Sequence, residues 1–385
     1  MQAGDARGGE RVAGQRPRLR LIVVQAAFGD SLILEARSAA GTSRILVDGG
    51  PGGTFEAHLA PVLGRLAAAE AHIDVAVLSH IDNDHVVGLL DLLGAMRERS
   101  SGAPPLPRIE ALWHNAFGQA LGSFELEPRV RAALAAAGQS ATPMPLAAAV
   151  LRGVGEGDEL RKAAQALRIP INPGFTEGHV RLDGAPGIRL GDLSIDIVGP
   201  SQAILERLRK QWERWLARKP GVAADRSVPN LSSIVMLARL GRRSILLTGD
   251  ARGDHVLDGL AEAGLLGPEG SLHVSVLKMP HHGSIRNIDG DFLRQVTADT
   301  YVVSADGRHG NPDHETLAAT VEAAHAASRP IELVFTNRTD SSEELLATHP
   351  PARFAYRTRF LGPGRHSLVV EAHDPARRRA RAWTG

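Results

Sequence analysis

The chain has 385 residues, a formal net charge of +1, 43% hydrophobic and 23% charged residues, enough for one large or two medium cores. Near-neutrality excludes a whole-protein electrostatic pull toward nucleic acid, and the absence of cysteine excludes disulfides, thiolate metal ligands and a cysteine nucleophile. No apolar run reaches membrane-spanning length and residues 1–17 lack the apolar segment of a secretory signal, so a soluble cytoplasmic protein with no membrane partner is expected.

Residues 1–17 are rich in Gly and Arg and read as a disordered leader. Residues 19–24 and 31–36 read as strands joined across Ala26-Ala27-Phe28-Gly29-Asp30, and 44–47 as a third strand ending at Asp48-Gly49-Gly50. A helix over 58–70 leads to an apolar strand at 73–78, which runs into His80-Ile81-Asp82-Asn83-Asp84-His85 and a helical stretch at 86–93. From 97 to 229 the pattern loosens. It holds a short strand at 109–113, helical pieces at 128–137 and 159–167, a strand at 193–198 and a helix at 201–217 able to present Trp212 and Trp215. The stretch 97–190 reads as an inserted cap or rim, and 218–229 as a linker whose movement or cleavage would open the site. Limited proteolysis with unchanged activity would count against that idea. Regularity returns with a hairpin at 232–247 ending at Asp250, a helix at 254–263, a strand at 274–278 ending at His281-His282, and a strand at 301–304. A loop with His309, Asn311 and His314, a helix, and strands at 331–336 and 366–371 close a hydrolase domain over 18–373. The tail from 374 is basic and reads as a solvated end, with a nucleic-acid role as the alternative.

The hexapeptide organises this pattern. Four donor side chains on one turn would repel one another unless a cation neutralised them, and imidazole mixed with carboxylate suits a divalent metal. Asp48, the hexapeptide, Asp250, His281-His282 and the 309–314 loop all follow strands. In a strand–helix alternation such loops gather at one sheet edge, so distant residues can share a site.

Ser79-His80-Ile81-Asp82-Asn83-Asp84-His85 resembles the His-x-His-x-Asp-His signature of the metallo-β-lactamase fold superfamily, with Asp82 in place of the second histidine. Asp48 in Val47-Asp48-Gly49-Gly50 and Asp250 in Leu247-Thr248-Gly249-Asp250 are similar to its further acid motifs. Gly29-Asp30-Ser31 and Leu277-Lys278-Met279-Pro280-His281-His282-Gly283-Ser284 resemble the soluble hydrolase domain of ComEC-type DNA-uptake proteins, over 19–96 and 230–317. The resemblance implies an α/β fold of αββα sandwich type with the 97–190 insertion. It implies one or two divalent ions, zinc or manganese with magnesium as an option, held by His80, Asp82, Asp84, His85, Asp250 and His281. Asp84 and His282 are the expected catalytic residues, His282 as a general acid or phosphate contact. Asp48, Asn230, Ser284, Ser304, His309, Asn311 and His314 are supporting or substrate-contacting candidates, with Asn230 standing where a third metal histidine is usual. Lys278 is either a phosphate contact or a structural strand end. The implied activity is phosphodiester cleavage of DNA or RNA by a metal-bound hydroxide, with nucleic acid as substrate and a regulatory protein as a further candidate partner. A small-molecule ester, lactone or thioester hydrolase, or a non-catalytic module of the same fold, are the alternatives.

Overall fold

The computed structural model describes residues 16–98, 105–121, 125–138, 145–185, 187–217 and 230–375. Most of the expected leader, the 218–229 linker and the tail beyond 375 lie outside them.

Two mixed sheets lie face to face. The first has the order β14-β1-β2-β3-β4-β5, with β1 Arg18–Val24, β2 Leu32–Ser38, β3 Gly41–Val47, β4 Val75–Val77, β5 Leu112–Trp113 and β14 Ser367–Ala372. The second has the order β13-β12-β11-β10-β9-β8-β7-β6, with β6 Ile188–Leu190, β7 Leu193–Gly199, β8 Val235–Leu240, β9 Arg243–Leu247, β10 Leu272–Lys278, β11 Val296–Val303, β12 Ile331–Phe335 and β13 Tyr356–Phe360.

Period-two alternation explains the layering. In β1, Leu19, Leu21 and Val23 enter the core between the sheets, while Ile22 and Val24 face an outer helical layer. Met236, Ala238 and Leu240 of β8 likewise point inward, against Val235 and Leu237 on the outer face. The outer face of the first sheet is covered by helices that include Asn83–Arg97, Leu126–Gly138, Pro145–Ala166 and Gln202–Ala217. That of the second is covered by Gly253–Glu262, Gly290–Gln295, His314–Ala326 and Asp340–Thr348. The result is an αββα sandwich.

The 97–190 stretch contributes helices that pack into the outer layer of the first sheet, and one of them also walls the hexapeptide: Asn83 Nδ2 donates to Glu156 Oε1 at 3.2 Å. Trp212 is buried edge-on to Phe117 at 6.0 Å, so it belongs to the core and is not presented to a ligand. Among the described residues no helix is long and apolar enough to cross a membrane.

Pairing is parallel from β3 through β5 and from β9 through β13. The loops after β3, β4, β9, β10 and β11 therefore leave at strand C-termini, the edge where open α/β sheets carry ligands. The turn after β3 docks directly on the helix that follows the hexapeptide: Gly49 N–H donates to the His85 carbonyl at 2.8 Å and Gly88 N–H to that of Gly50 at 2.9 Å. The backbones approach so closely that a Cβ on Gly88 would lie 1.9 Å from the Gly49 oxygen. Gly88→Ala must push the helix and the turn apart. It is expected to cost about 3 kcal/mol, the upper range for overpacking. Urea unfolding checks this, and a loss below about 0.5 kcal/mol, typical of a neutral surface change, would contradict the packing.

Candidate metal centre

Residues from two of these loops surround one carboxylate supplied by a third. Asp250, just after β9, is 2% exposed, and its two oxygens divide the nearby donors into two groups. On the Oδ2 side, His80 Nε2 lies at 3.8 Å and His281 Nε2 at 3.5 Å, with Asp82 Oδ2 3.7 Å from His80 Nε2. On the Oδ1 side, His85 Nε2 and His282 Nε2 each lie at 3.5 Å. Asp84 Oδ2 is 3.7 Å from His85 Nε2 and 3.4 Å from His282 Nε2.

The four imidazoles are fixed in the same way. His85 Nδ1 donates to Asp48 Oδ2, His282 Nδ1 to the Ser304 carbonyl and His281 Nδ1 to Asn287 Oδ1, each at 2.8 Å. His80 Nδ1 donates at 3.1 Å to Ser79 Oγ, which itself donates to Asp48 Oδ2 at 2.7 Å. With a proton held on Nδ1, each ring turns Nε2 toward Asp250, where the neutral imidazole has a lone pair to offer a metal. Nε2 of His80, His85 and His282 and Oδ1 of Asp250 are buried without a hydrogen-bond partner. Unpartnered buried polar atoms are costly, and several aimed at one point fit a cation. The field says the same. Burial would push His85 and His282 down, but the carboxylates of Asp250 and Asp84, with Asp48 at His85 and Asp30 at His282, outweigh it. They hold His85 well above its ordinary value and His282 at about 10. Two imidazoles and two carboxylates per group suit a divalent metal ion.

Backbone strain aims these side chains. Asp48 (φ 58°), His281 (φ 45°) and His282 (φ 56°) all occupy the left-handed region, which non-glycine residues visit only when the surroundings hold them there. Consecutive left-handed histidines turn both rings toward Asp250.

Behind His282 lies a buried ion pair. Lys278 Nζ, at the end of β10, is 2.6 Å from Asp30 Oδ2, and both side chains are at most 1% exposed. Asp30 Oδ1 is 3.5 Å from His282 Nδ1, and Asp30 N–H donates to the Asp84 carbonyl at 3.3 Å. Ligand atoms of Asp30, His85, Asp250 and His282 lie within 4.8 Å of one another. Asp30 is already neutralised by Lys278, so it supports His282 and is not counted as a donor. Lys278 is buried, which removes it as a phosphate contact. The Asp30 loop comes this close because Gly29 has no side chain: a Cβ there would lie 2.0 Å from the Asp84 oxygen.

The structure brings together His80, Asp82, Asp84, His85, Asp250, His281 and His282, with Asp48 and Ser304 behind them. Asn230 Nδ2 is 3.3 Å from His281 Nδ1 and therefore adjoins that ring. Ser284 is buried and meets the site through its backbone N–H, which donates to the His281 carbonyl at 3.0 Å. His309 and Asn311 line the mouth, a cavity of about 100 Å³ shared with Phe28, Asp84, His281, His282 and Arg308. His314 stands apart, 3.1 Å from Thr348 Oγ1. Sequence reasoning assigned no role to Asp30, Ser79 or Asn287. Asp30 and Ser79 sit at strand-end positions where a role was readable, while Asn287 lies in a loop with no signal.

The profile of the metallo-beta-lactamase superfamily matches residues 27–194, which contain Asp48 and the hexapeptide. That match covers less than half of the chain, and the αββα layering is consistent with the sandwich fold of that superfamily. No curated protein matches the chain. Among solved structures it is similar to CmlA, a diiron beta-hydroxylase from Streptomyces venezuelae, at 13% identity and a TM-score of 0.37. That alignment covers 93% of this chain and 54% of the other, so the chain spans about half the length of that protein.

Two outcomes follow from the supports. Asp48→Asn removes the acceptor that orients His85 and is expected to weaken divalent-metal affinity about 10- to 100-fold, read by competition with a chromophoric chelator; unchanged affinity would remove Asp48 from the site. Lys278→Met leaves the Asp30 charge buried and alone, at a cost of about 3–5 kcal/mol in urea unfolding. Asp30→Asn in the same chain should recover most of it.

Proposed function

We propose that this protein is a metal-dependent phosphodiesterase that cleaves nucleic acid. The observation that carries the metal-dependent part is the set of four imidazoles, each tied at Nδ1 and turned so that Nε2 meets a shared buried carboxylate. His80, Asp82 and His281 would hold one divalent ion, Asp84, His85 and His282 a second, and Asp250 would serve both. Ions bound there supply positive charge for a phosphoryl oxygen and make water a stronger nucleophile at neutral pH.

The chain's own residues then have separable tasks. Asp250 keeps the two halves in register. Asp82, Asp84 and His281 are the half-open members, with side-chain exposures of 34%, 22% and 30%, so substrate approaches from their side. Both nitrogens of His282 face inward, Nδ1 to Ser304 and Nε2 to Asp84 and Asp250, which suits a ligand better than a general acid. Arg308 on the rim offers a guanidinium to a phosphate, and the exposed His309 offers an imidazole to the leaving side. In the overall step a water oxygen forms a bond to phosphorus, the bond to the leaving oxygen breaks, and that oxygen takes a proton. The nucleic-acid part of the reading is supported by this phosphate-compatible rim and by the motif resemblance.

The deciding experiment is elemental analysis of protein purified without chelator, alongside hydrolysis of single-stranded DNA, duplex DNA and RNA with manganese, zinc or magnesium. The expected result is bound divalent metal and metal-dependent cleavage. Asp250→Ala should lose both, and Asp84→Ala should lose cleavage with at most one ion retained. Cleavage of lactone or thioester substrates with none of phosphodiesters would replace the reading with the small-molecule hydrolase, and absence of metal would replace it with a non-catalytic module.

A further inference from the structure

The pocket over the metal centre does not end at its own rim. Phe28, Asp306 and Arg308 also line a second, larger groove of about 690 Å³. Its remaining walls include His58, Arg338 and Arg365. Three arginines and one carboxylate, Asp306, thus line a groove that opens beside a centre crowded with aspartates.

The charges are not fully spent within the protein. Arg308 lies 3.7 Å from Asp306 and stays 59% exposed, and Arg338 pairs with Glu343 while 62% exposed, so both ion pairs are solvent-screened and weak. Arg365 is exposed, with no carboxylate partner among the described residues. Planar groups accompany the charges. The Arg308 guanidinium lies over the Phe28 ring at 4.6 Å, and the His309 ring meets Phe28 edge-on at 4.9 Å. Guanidinium for phosphate and an aromatic face for a base is the combination that single-stranded nucleic acid uses, with little dependence on sequence. The groove has the size of a small-ligand site. It takes a nucleotide-sized unit and is too small for a double helix.

We infer that this groove is a subsite for the strand flanking the scissile phosphodiester, so that the substrate is a single-stranded oligonucleotide and not an isolated phosphate ester. The inference rests on the phosphodiesterase reading and adds the direction of the strand, away from the metals past Phe28 toward Arg338 and Arg365. Arg365 and Arg338 hold flanking phosphates, and a base packs at the junction against the Arg308–Phe28 stack. The basic groove also answers an electrostatic need, since an anionic substrate has to approach the carboxylates of the centre.

The test has a binding arm and a turnover arm on the full chain. Fluorescence anisotropy with labelled oligodeoxythymidylate and oligouridylate, in chelator, is followed across salt concentrations. Arg365→Gln should lower affinity about tenfold, the scale of one charged hydrogen bond. It should also reduce the salt slope by about 0.7, one single-strand phosphate contact. Arg338→Gln with Arg365→Gln should reduce it by about twice that. Thermal midpoints of the variants establish that they are folded. With metal restored, the ratio of kcat/KM on the oligonucleotide to that on bis(p-nitrophenyl) phosphate, which has no flanking phosphate, should fall in the same variants. Unchanged slopes and ratios overturn the groove assignment, as does displacement of the oligonucleotide by poly-glutamate at equal charge. Arginine-dependent binding with no phosphodiester cut overturns the hydrolase reading and leaves the groove standing.

Discussion

A fully buried carboxylate with imidazole lone pairs on both sides is the constraint on which this site depends. Asp250 cannot be neutralised by solvent, and the four Nε2 atoms around it add electron density where positive charge is required. Every support in the neighbourhood holds that arrangement. Asp48 and Ser79 fix His80 and His85, Asn287 fixes His281 while its amide donates to the Asp250 carbonyl at 3.0 Å, and Ser304 fixes His282. The three left-handed residues, Asp48, His281 and His282, store strain where donors must be aimed. Divalent cations bound there would resolve the electrostatic conflict and give the strain a purpose.

The site is also a seam between the two sheets. The first sheet brings Asp30, Asp48 and the hexapeptide; the second brings Asp250, His281, His282 and Ser304. The Asp30–Lys278 pair crosses the seam inside the protein, and Ser304 Oγ donates to the Gly29 carbonyl across it at 2.6 Å. Buried ion pairs contribute little net stability against apolar packing, but they penalise misalignment heavily because either partner left alone is an unpaired buried charge. At this seam the property is useful: a small slip between sheets would separate Asp84 and His85 from Asp250 and His282.

Much of this was legible in the sequence because strand–loop–helix order is a strong signal. Residues 73–78 read as a strand, the structure gives Val75–Val77, and the donors of the hexapeptide fall directly after it. Asp48, Asp250 and His281-His282 follow the same rule, and parallel pairing gathers those loops at one edge. What stayed hidden depended on tertiary context. The helix Pro145–Ala166 contains Gly153, Gly155 and Gly157, which weaken a helical pattern, so only 159–167 stood out. Strands Ile188–Leu190 and Tyr356–Phe360 lie at sheet edges and carry mixed side chains. The sequence leaves Lys278 either a phosphate contact or a structural strand end, because its partner is 248 residues earlier in the chain. Arg308, Arg338 and Arg365 come from three separate loops, and their shared groove exists only after folding.

The departure at Asn230 has a physical resolution. The motif pattern leads one to expect a histidine before the β8–β9 hairpin, and asparagine there would leave the Oδ2 side of Asp250 one donor short. The first histidine of the His281-His282 pair occupies that side, with Nε2 at 3.5 Å from Asp250 Oδ2 and Asn230 beside its other nitrogen. One strained turn thus serves both groups, its first residue facing one carboxylate oxygen and its second the other. Asp82 acts similarly at the third position of the hexapeptide, where the motif has its second histidine, replacing a nitrogen with an oxygen. Each group therefore keeps two imidazoles and one carboxylate of its own beside the shared one, a near-symmetric pair of sites reached by two substitutions and one backbone contortion.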